Sequence, residues 1–210
     1  MPALSVLKLP YEGLEIQQDS QSQRASHASQ MLIDCALAAF PENSPISVLE
    51  LGSGSGVISI MCALARPLWQ ITGIEIQPHL HRLALGNAAN CNISVKFELQ
   101  DLREFEGKFD LILGNPPWQK TGSGRLSPLG SRNLSRIELG CSMADILACI
   151  KRCLAPGGSA LLLYPKTRKA DIIRQSRKDF QLSIREIPQN NRKQYFCAFL
   201  GRKPPNEIPF

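Results

Sequence analysis

The amino-acid sequence predicts an α/β protein built on a doubly wound, mostly parallel sheet of seven strands that ends in an antiparallel hairpin. Three observations support this class. Strand-like apolar runs alternate with segments of helical periodicity through most of the chain. A glycine-rich turn follows the first of these apolar runs. The last two runs are joined by a connection so short that it suits only antiparallel pairing.

The predicted helices share apolar side chains at three- and four-residue spacing, which places those side chains on one face. They cover residues 28–39, 57–66, 78–90 and 138–154, with Pro78 at the start of the third and Pro156–Gly158 after the fourth. The predicted strands cover residues 46–51, 70–76, 94–99, 109–113, 159–164, 180–186 and 194–201. A parallel sheet of this kind binds ligands beyond the carboxyl ends of its strands, so functional residues are expected there.

Length and composition indicate one globular domain. Of the 210 residues, 43% are hydrophobic and 20% are charged, which excludes a disordered chain, a collagen-like repeat or a coiled coil. We expect a single domain over residues 1–210, with residues 1–45 as an N-terminal cap segment, a polar stretch at residues 17–23 and an extended tail at residues 202–210. The most apolar stretch is far shorter than the ~20 residues of a membrane span. We therefore expect a cytoplasmic protein with no membrane partner.

Cysteine and histidine usage gives no sign of a metal site. The seven cysteines form no C-x-x-C pair and the three histidines are scattered, so we expect reduced thiols and no metal. Cys149 and Cys153 share a helical face, where core packing is the favoured interpretation. The sequence leaves the oligomeric state open.

Charge is divided unevenly along the chain. Residues 1–105 hold 6 Lys+Arg and 10 Asp+Glu, whereas residues 106–210 hold 18 and 8, giving net charges of −4 and +10. The basic half predicts an anionic partner such as nucleic acid. A solvated basic surface is an alternative that charge alone leaves open.

The turn after the first predicted strand indicates a nucleoside cofactor. It contains glycines at alternate positions from Gly52 to Gly56, and Glu75 lies 23 residues beyond Gly52, at the end of the next strand. Glycines let the backbone approach a ligand, and a carboxylate at that strand end can accept hydrogen bonds from ribose hydroxyls. The spacing is G-x-G-x-G, whereas dinucleotide sites favour G-x-G-x-x-G. Glu50, just before the loop, could receive an ammonium group, which favours S-adenosylmethionine over the nicotinamide cofactor of a dehydrogenase.

This arrangement resembles the class I S-adenosylmethionine-dependent methyltransferases, which have a Rossmann-like fold. The resemblance implies S-adenosyl-L-methionine as the cofactor and a set of cofactor-binding positions. They are Glu50, Gly52, Ser53, Gly54, Gly56, Glu75, Ile76, Asp101, Leu102 and Asn115. Glu75 is implied on the ribose and Asp101 on the adenine amino group. A loop carboxylate or a helix N-cap is the alternative for Asp101.

A stiff polar turn follows the fourth predicted strand. It reads Asn115, Pro116, Pro117 and Trp118, and consecutive prolines restrict its backbone. The Asn115 amide oxygen and the Pro116 carbonyl could each accept one N–H of a planar amino group, and Trp118 offers a face for stacking. We predict these four residues as the catalytic set, with a proline-rich loop around a buried tryptophan as the alternative.

The same turn resembles the (D/N)-P-P-(Y/F/W) motif of methyltransferases that act on amino nitrogens: adenine N6, the guanine amine in ribosomal RNA, and glutamine amides of release factors. Residues 135–138, the short N-terminal segment and the basic C-terminus resemble the bacterial tRNA(Val) adenine-N6 methyltransferase family. That resemblance implies tRNA as the partner, with basic side chains holding its phosphates. The candidates are Lys120, Arg125, Arg132, Arg136, Lys166, Arg168 and Lys169.

Several activities remain open from the sequence, of which we favour methylation of adenine N6 in tRNA. A release-factor glutamine N5 methyltransferase shares the motif, but that family normally carries an N-terminal helical domain, and about 45 residues precede the first predicted strand here. The others are a ribosomal RNA guanine-N2 methyltransferase and a noncatalytic cofactor-binding or RNA-binding module. The intact turn from Asn115 to Trp118 argues against the noncatalytic module, because binding alone needs no acceptors aimed at an amine.

Overall fold

Two β-sheets organise the chain in the computed structural model, which describes residues 4–20, 27–116, 141–187 and 195–201. Strands β1 (Leu4–Lys8) and β2 (Glu15–Asp19) pair as an antiparallel hairpin. The larger sheet contains β3 (Ser47–Leu51), β4 (Gln70–Glu75), β5 (Lys96–Leu99), β6 (Phe109–Gly114), β7 (Leu154–Pro165), β8 (Gln181–Ile187) and β9 (Tyr195–Gly201).

Five α-helices are present among these described residues. They are α1 (His27–Ala39), α2 (Val57–Ala65), α3 (Pro78–Asn90), α4 (Met143–Cys153) and α5 (Lys169–Ser176). A 3-10 turn, Lys166–Arg168, leads into α5. Within the described part of the chain, none of the helices has the length and apolar character needed to cross a membrane.

The strand order confirms the predicted fold class. It runs β5-β4-β3-β6-β7-β9-β8, with parallel pairing from β5 through β7. β9 lies antiparallel between β7 and β8, so the predicted C-terminal hairpin joins the sheet with its second strand inward. The order reverses at β3, and the carboxyl ends of β3, β4 and β6 therefore form the crevice where such folds bind ligands.

The central strands are buried on both faces, which explains their continuous apolar sequences. Consecutive residues of β3 point to opposite cores: Val48 packs in the cluster with α1 and α2, and Leu49 packs in the cluster with α4. Leu111 and Ile112 of β6 alternate in the same way. The two helical layers fix the sheet edge on which the functional residues sit.

Two predictions about α4 and β7 were wrong in their boundaries. The helix predicted from residue 138 begins at Met143, because Ser142 caps it: the Ser142 Oγ accepts the Asp145 N–H at 3.2 Å and the Asp145 carboxylate accepts the Ser142 N–H at 2.9 Å. Residues 138–140 lie outside the described chain. The helix ends at Cys153, and β7 starts at once and runs through Pro156–Gly158, which was predicted as a helix stop.

Two further elements were not predicted. The hairpin β1–β2 occupies part of the expected cap segment, and Gln17 and Gln18 of the expected polar stretch lie in β2. Helix α5 occupies a charged segment for which the sequence pattern predicts no element. The extended tail predicted for residues 202–210 lies outside the described residues.

Candidate active site

The glycine loop between β3 and α2 is held in a conformation that needs glycine. Gly52, Gly54 and Gly56 have φ angles of 69°, 56° and 83°, in the left-handed region that L side chains rarely adopt. A Cβ atom at Gly52 or Gly54 would meet no atom within 4 Å, whereas one at Gly56 would lie 2.8 Å from the Phe97 ring. The first two glycines therefore face open space, and Gly56 allows the loop to pack closely on the core.

Glu75 closes this loop from the neighbouring strand. It is 5% exposed, its Oε2 accepts the Gly54 N–H at 2.9 Å, and its Oε1 accepts the Gln77 N–H at 2.9 Å. Each carboxylate oxygen has two lone pairs, so both can accept a further hydrogen bond. The carboxylate is thus oriented by the Gly54 N–H of the loop and by the Gln77 N–H after β4, which fits the predicted ribose contact.

Glu50 is a buried acid next to the loop. It is 2% exposed, and its Oε2 accepts hydrogen bonds from the Ser59 N–H at 3.0 Å and from the Ser59 hydroxyl. Burial raises the pKa of Glu50 to about 8, the Ser59 hydrogen bonds oppose the rise, and the nearby charge of Glu75 adds to it. Neither hydrogen bond uses Oε1. A cationic group placed against this acid would favour its ionised form, which fits the predicted ammonium contact.

The loop after β5 gives Asp101 a local role. The Asp101 Oδ1 accepts the Arg103 N–H at 2.9 Å, and the Arg103 guanidinium binds both carboxylate oxygens. The hydrogen bond from Arg103 lowers the pKa of Asp101. From α4, the Arg152 guanidinium donates to the Leu102 carbonyl at 2.7 Å and to the Phe105 carbonyl at 2.9 Å. The loop is therefore fixed, and any contact of Asp101 with adenine would have to share the carboxylate with Arg103.

Exposed apolar side chains lie at the same edge of the sheet. Ile76 follows β4 and is 50% exposed, and Leu99 ends β5 and is also 50% exposed. Glu75 and Leu99 are direct partners in the β4–β5 register, so these side chains belong to adjacent strand ends. Large apolar groups in this position suit the face of a planar base.

Asn115 presents an unsatisfied acceptor at the carboxyl end of β6. Its Oδ1 is buried and has no hydrogen-bond partner in the described part of the chain. Such an atom costs free energy unless a donor reaches it. Pro116 is buried beside it. Leu51, at the end of β3, pairs with Gly114, at the end of β6, so the Asn115 turn and the glycine loop leave the sheet from neighbouring positions.

The predicted substrate contacts are only partly covered by the described residues. Lys166 is exposed, and Lys169 is half-buried with its Nζ 2.6 Å from the Glu186 Oε1. Arg168 does not agree with the predicted phosphate contact, because it is 4% exposed, pairs with Asp171 at 3.1 Å and lies over the Tyr164 ring. The remaining predicted catalytic and substrate residues lie outside the described chain: Pro117, Trp118, Lys120, Arg125, Arg132 and Arg136.

Three residues of this region were missed by sequence reasoning. Ser59 binds Glu50, Arg152 fixes the loop after β5, and Asn87 of α3 donates to the Ser55 carbonyl at 2.9 Å. Ser59 lies nine residues from Glu50, and the other two contacts span 50 and 32 residues, so no local pattern marks any of them. Among the described residues, no three His, Cys, Asp or Glu side chains are grouped as a metal site would need.

Comparison with known proteins agrees with the class that this geometry defines. Residues 42–199 match a family model described as a methyltransferase domain. The match covers most of the chain, and the protein belongs to this family. S-adenosyl-L-methionine is the cofactor of such class I domains, and the open glycine loop, the buried acid Glu50 and the fixed carboxylate of Glu75 fit it. When bound, it supplies a methyl group on a cationic sulfonium.

Individual relatives differ in what they act on. The chain is 32% identical over 146 residues to a tRNA1(Val) (adenine(37)-N6)-methyltransferase of Aeromonas hydrophila, covering 68% of this chain and 61% of that protein. It is 38% identical over 74 residues to the release factor glutamine methyltransferase of Streptococcus pneumoniae, covering 35% and 26%. A solved methyltransferase from Pyrococcus furiosus is 18% identical, with a TM-score of 0.67 over 91% of this chain and 90% of that chain.

The similarity to the tRNA-modifying relatives is incomplete in length. The match spans 61% of the Aeromonas protein and 55% of a second such enzyme, from Pseudoalteromonas translucida, which is 28% identical over 133 residues and 60% of this chain. The comparisons therefore show membership of the methyltransferase-domain family, and they include relatives named for action on tRNA and relatives named for action on protein.

Proposed function

We propose that this protein transfers a methyl group from S-adenosyl-L-methionine to an exocyclic amino nitrogen, adenine N6 in tRNA. The observation that carries the proposal is the buried Oδ1 of Asn115, which has no partner among the described residues. It lies at the carboxyl end of β6, beside the glycine loop. An amino group is the donor that such an acceptor, followed by the Pro116 carbonyl, is suited to hold.

The chemistry follows from how an amino group must be prepared for methyl transfer. The nitrogen lone pair of adenine N6 is delocalised into the ring, which makes the nitrogen a weak nucleophile. Asn115 Oδ1 would accept one N–H and the Pro116 carbonyl the other, which holds the nitrogen in place and favours a pyramidal geometry. Positioning and polarisation by these acceptors then provide most of the acceleration. No covalent enzyme intermediate is needed for a direct displacement.

Several features favour tRNA as the substrate. The tRNA1(Val) adenine-N6 relatives match about 60% of this chain, and the half of the chain after residue 105 carries a net charge of +10. Lys166 and Lys169 lie directly after β7, on the same sheet edge as Asn115. Basic side chains at that edge would hold backbone phosphates while the pocket reads the base. Modification of tRNA is also in keeping with the predicted cytoplasmic location.

A glutamine side-chain amide of a release factor is the second candidate substrate. The match to the Streptococcus pneumoniae enzyme reaches 38% identity, though over 35% of this chain. An amide nitrogen has the same planar, delocalised character as adenine N6, so the Asn115 turn would serve both. With tRNA as the substrate, the basic side chains would hold phosphates, whereas with a release factor they would have no such role. Substrate tests can separate the two candidates.

The test is to incubate the purified protein with methyl-labelled S-adenosylmethionine and three separate pools: unmodified tRNA, ribosomal RNA and release factor. Labelled products are then digested and the methylated unit is identified by mass. The proposal expects N6-methyladenosine from tRNA. N5-methylglutamine from the release factor would replace it with the second candidate, N2-methylguanosine from ribosomal RNA would assign a different nucleobase, and the absence of label in all three would favour a noncatalytic module.

A further inference from the structure

A single side chain of α3 connects the N-terminal hairpin to the glycine loop. Asn87 is 1% exposed. Its Oδ1 accepts the Gln17 N–H at 2.9 Å, and its Nδ2 donates to the Gln17 carbonyl at 2.9 Å. The same Nδ2 donates to the Ser55 carbonyl at 2.9 Å. The Asn87 side-chain amide therefore binds both strand β2 and the middle of the glycine loop.

The hydrogen-bonding pattern allows only one orientation of this amide. A side-chain amide has two N–H donors and one carbonyl. Here both donors face backbone carbonyls and the carbonyl faces a backbone N–H, so a flipped amide would oppose like groups at all three contacts. Asn87 itself is buried, whereas Gln17 is exposed and Ser55 is partly exposed, so replacing Asn87 removes hydrogen bonds whose backbone partners lie nearer the surface. Asn87 is thus satisfied in full, and its replacement disturbs β2 and the loop together.

Two other contacts join α3 to the hairpin and to the glycine loop. The His79 Nε2, on the same helix, lies 3.3 Å from the Asp19 Oδ2, and Asp19 is 2% exposed. A Cβ at Gly56 would approach the Ala84 side chain of α3 to 3.2 Å, so the end of the loop packs directly against this helix. The hairpin is fixed to α3 at two points, and α3 supports the loop at Ser55 and at Gly56.

We propose that Asn87 is a positioning residue for S-adenosylmethionine binding, which couples the β1–β2 hairpin to the glycine loop. It acts through the Ser55 carbonyl and does not itself contact the cofactor. Holding that carbonyl fixes the peptide groups on either side of it, including those of Gly54 and Gly56. Coupling between two sites is reciprocal. Cofactor binding to the loop must therefore stabilise β2, and release of β2 must weaken cofactor binding.

The first experiment compares Asn87→Asp with the wild-type protein. Aspartate has the same shape but no N–H donors, so both carbonyl contacts are lost. We expect the dissociation constant for S-adenosylmethionine, measured by calorimetry, to rise by about tenfold to a hundredfold, since two part-buried hydrogen bonds are removed. Asn90→Asp is the matched control, because Asn90 is exposed on the same helix, and it should bind the cofactor like the wild-type protein.

The second experiment separates positioning from a merely structural role. Amide hydrogen exchange is measured with and without S-adenosylmethionine. In the wild-type protein the cofactor should slow exchange in β2, at Gln17 above all, and in Asn87→Asp this protection should disappear while protection of β6 persists. Unchanged exchange of β2 in the wild-type protein would overturn the proposal even if the variant failed to fold. Normal cofactor affinity of Asn87→Asp would overturn it as well.

Discussion

Replacing Glu50 by glutamine tests whether the buried acid beside the glycine loop is protonated in the folded protein. Its pKa rises from an ordinary value of 4.5 to about 8, because burial disfavours the charged form more than the two Ser59 hydrogen bonds favour it. Glutamine has the shape of the neutral acid, and its carbonyl can still accept both hydrogen bonds from Ser59. The substitution therefore removes the ionisation and keeps the packing.

The sign of the effect follows from proton binding in the two states. Between the unfolded and the folded pKa, the folded protein binds more protons than the unfolded chain, so the stabilising contribution present below pH 4.5 is lost as the pH rises through 8. At 1.36 kcal/mol per pH unit, with a smaller slope near each pKa, Glu50 should cost the wild-type protein about 3 to 4 kcal/mol of unfolding free energy between pH 5 and pH 8. Glu50→Gln should lack this loss.

The measurement is urea unfolding of both proteins without cofactor at half-unit steps from pH 5 to pH 8. The difference between the two unfolding free energies should grow steadily with pH. Glu42→Gln is the control, because Glu42 is exposed and its substitution should leave the pH dependence of the wild-type protein unchanged. If Glu50→Gln and the wild-type protein lose stability in parallel, Glu50 is ionised in the folded state and the argument from its burial is wrong.

Three further outcomes follow from the site. In Glu75→Gln the amide NH₂ group would face one of the two backbone N–H donors, so one hydrogen bond is lost. The cofactor dissociation constant, measured by calorimetry, should rise by about tenfold to a hundredfold. An affinity equal to that of the wild-type protein would contradict the role of Glu75. Gly56→Ala should lower the free energy of unfolding, measured in urea, by about 2 kcal/mol or more, because of backbone strain and the clash of the new Cβ with the core. Gly157 has a similar φ but open surroundings, so Gly157→Ala should lower it by only about 1 kcal/mol. The double variant Lys166→Ala and Lys169→Ala should bind tRNA more weakly. The slope of its log affinity against log salt concentration should be smaller by about 1.4 to 1.8. An unchanged slope would show that these lysines contact no phosphate.

The conformation of the glycine loop could be predicted because its causes are local in sequence. Apolar runs buried on both faces identify the central strands, and the alternate glycines mark a tight turn that Glu75, at the end of the next strand, fixes through the Gly54 N–H. The electrostatic state of Glu50 could not be predicted. It depends on burial under α2 and on the hydrogen bonds from Ser59, nine residues away. The local sequence pattern predicts neither the burial of Glu50 nor its contact with Ser59.

The hairpin and helix α5 escaped prediction for a different reason. Only Ile16 of the residues Glu15–Asp19 is an apolar side chain, and the strand forms because it pairs with β1 and binds Asn87, 70 positions away from Gln17. The charge count also led to the prediction of Arg168 as an exposed phosphate contact. Charged residues are usually exposed, but this one lies over the Tyr164 ring and pairs with Asp171, which only the packing of α5 determines.

The central claim is that Asn115 acts mainly in methyl transfer to an amino nitrogen and contributes little to the cofactor binding that the resemblance also implies for it. The most direct measurement compares both properties in Asn115→Ala. S-adenosylmethionine affinity is measured by calorimetry, and turnover is measured on the substrate pool that the wild-type protein labels. We expect nearly unchanged affinity and turnover reduced by about a hundredfold or more, since an acceptor positioned for the transition state is removed. Turnover near that of the wild-type protein would contradict the account.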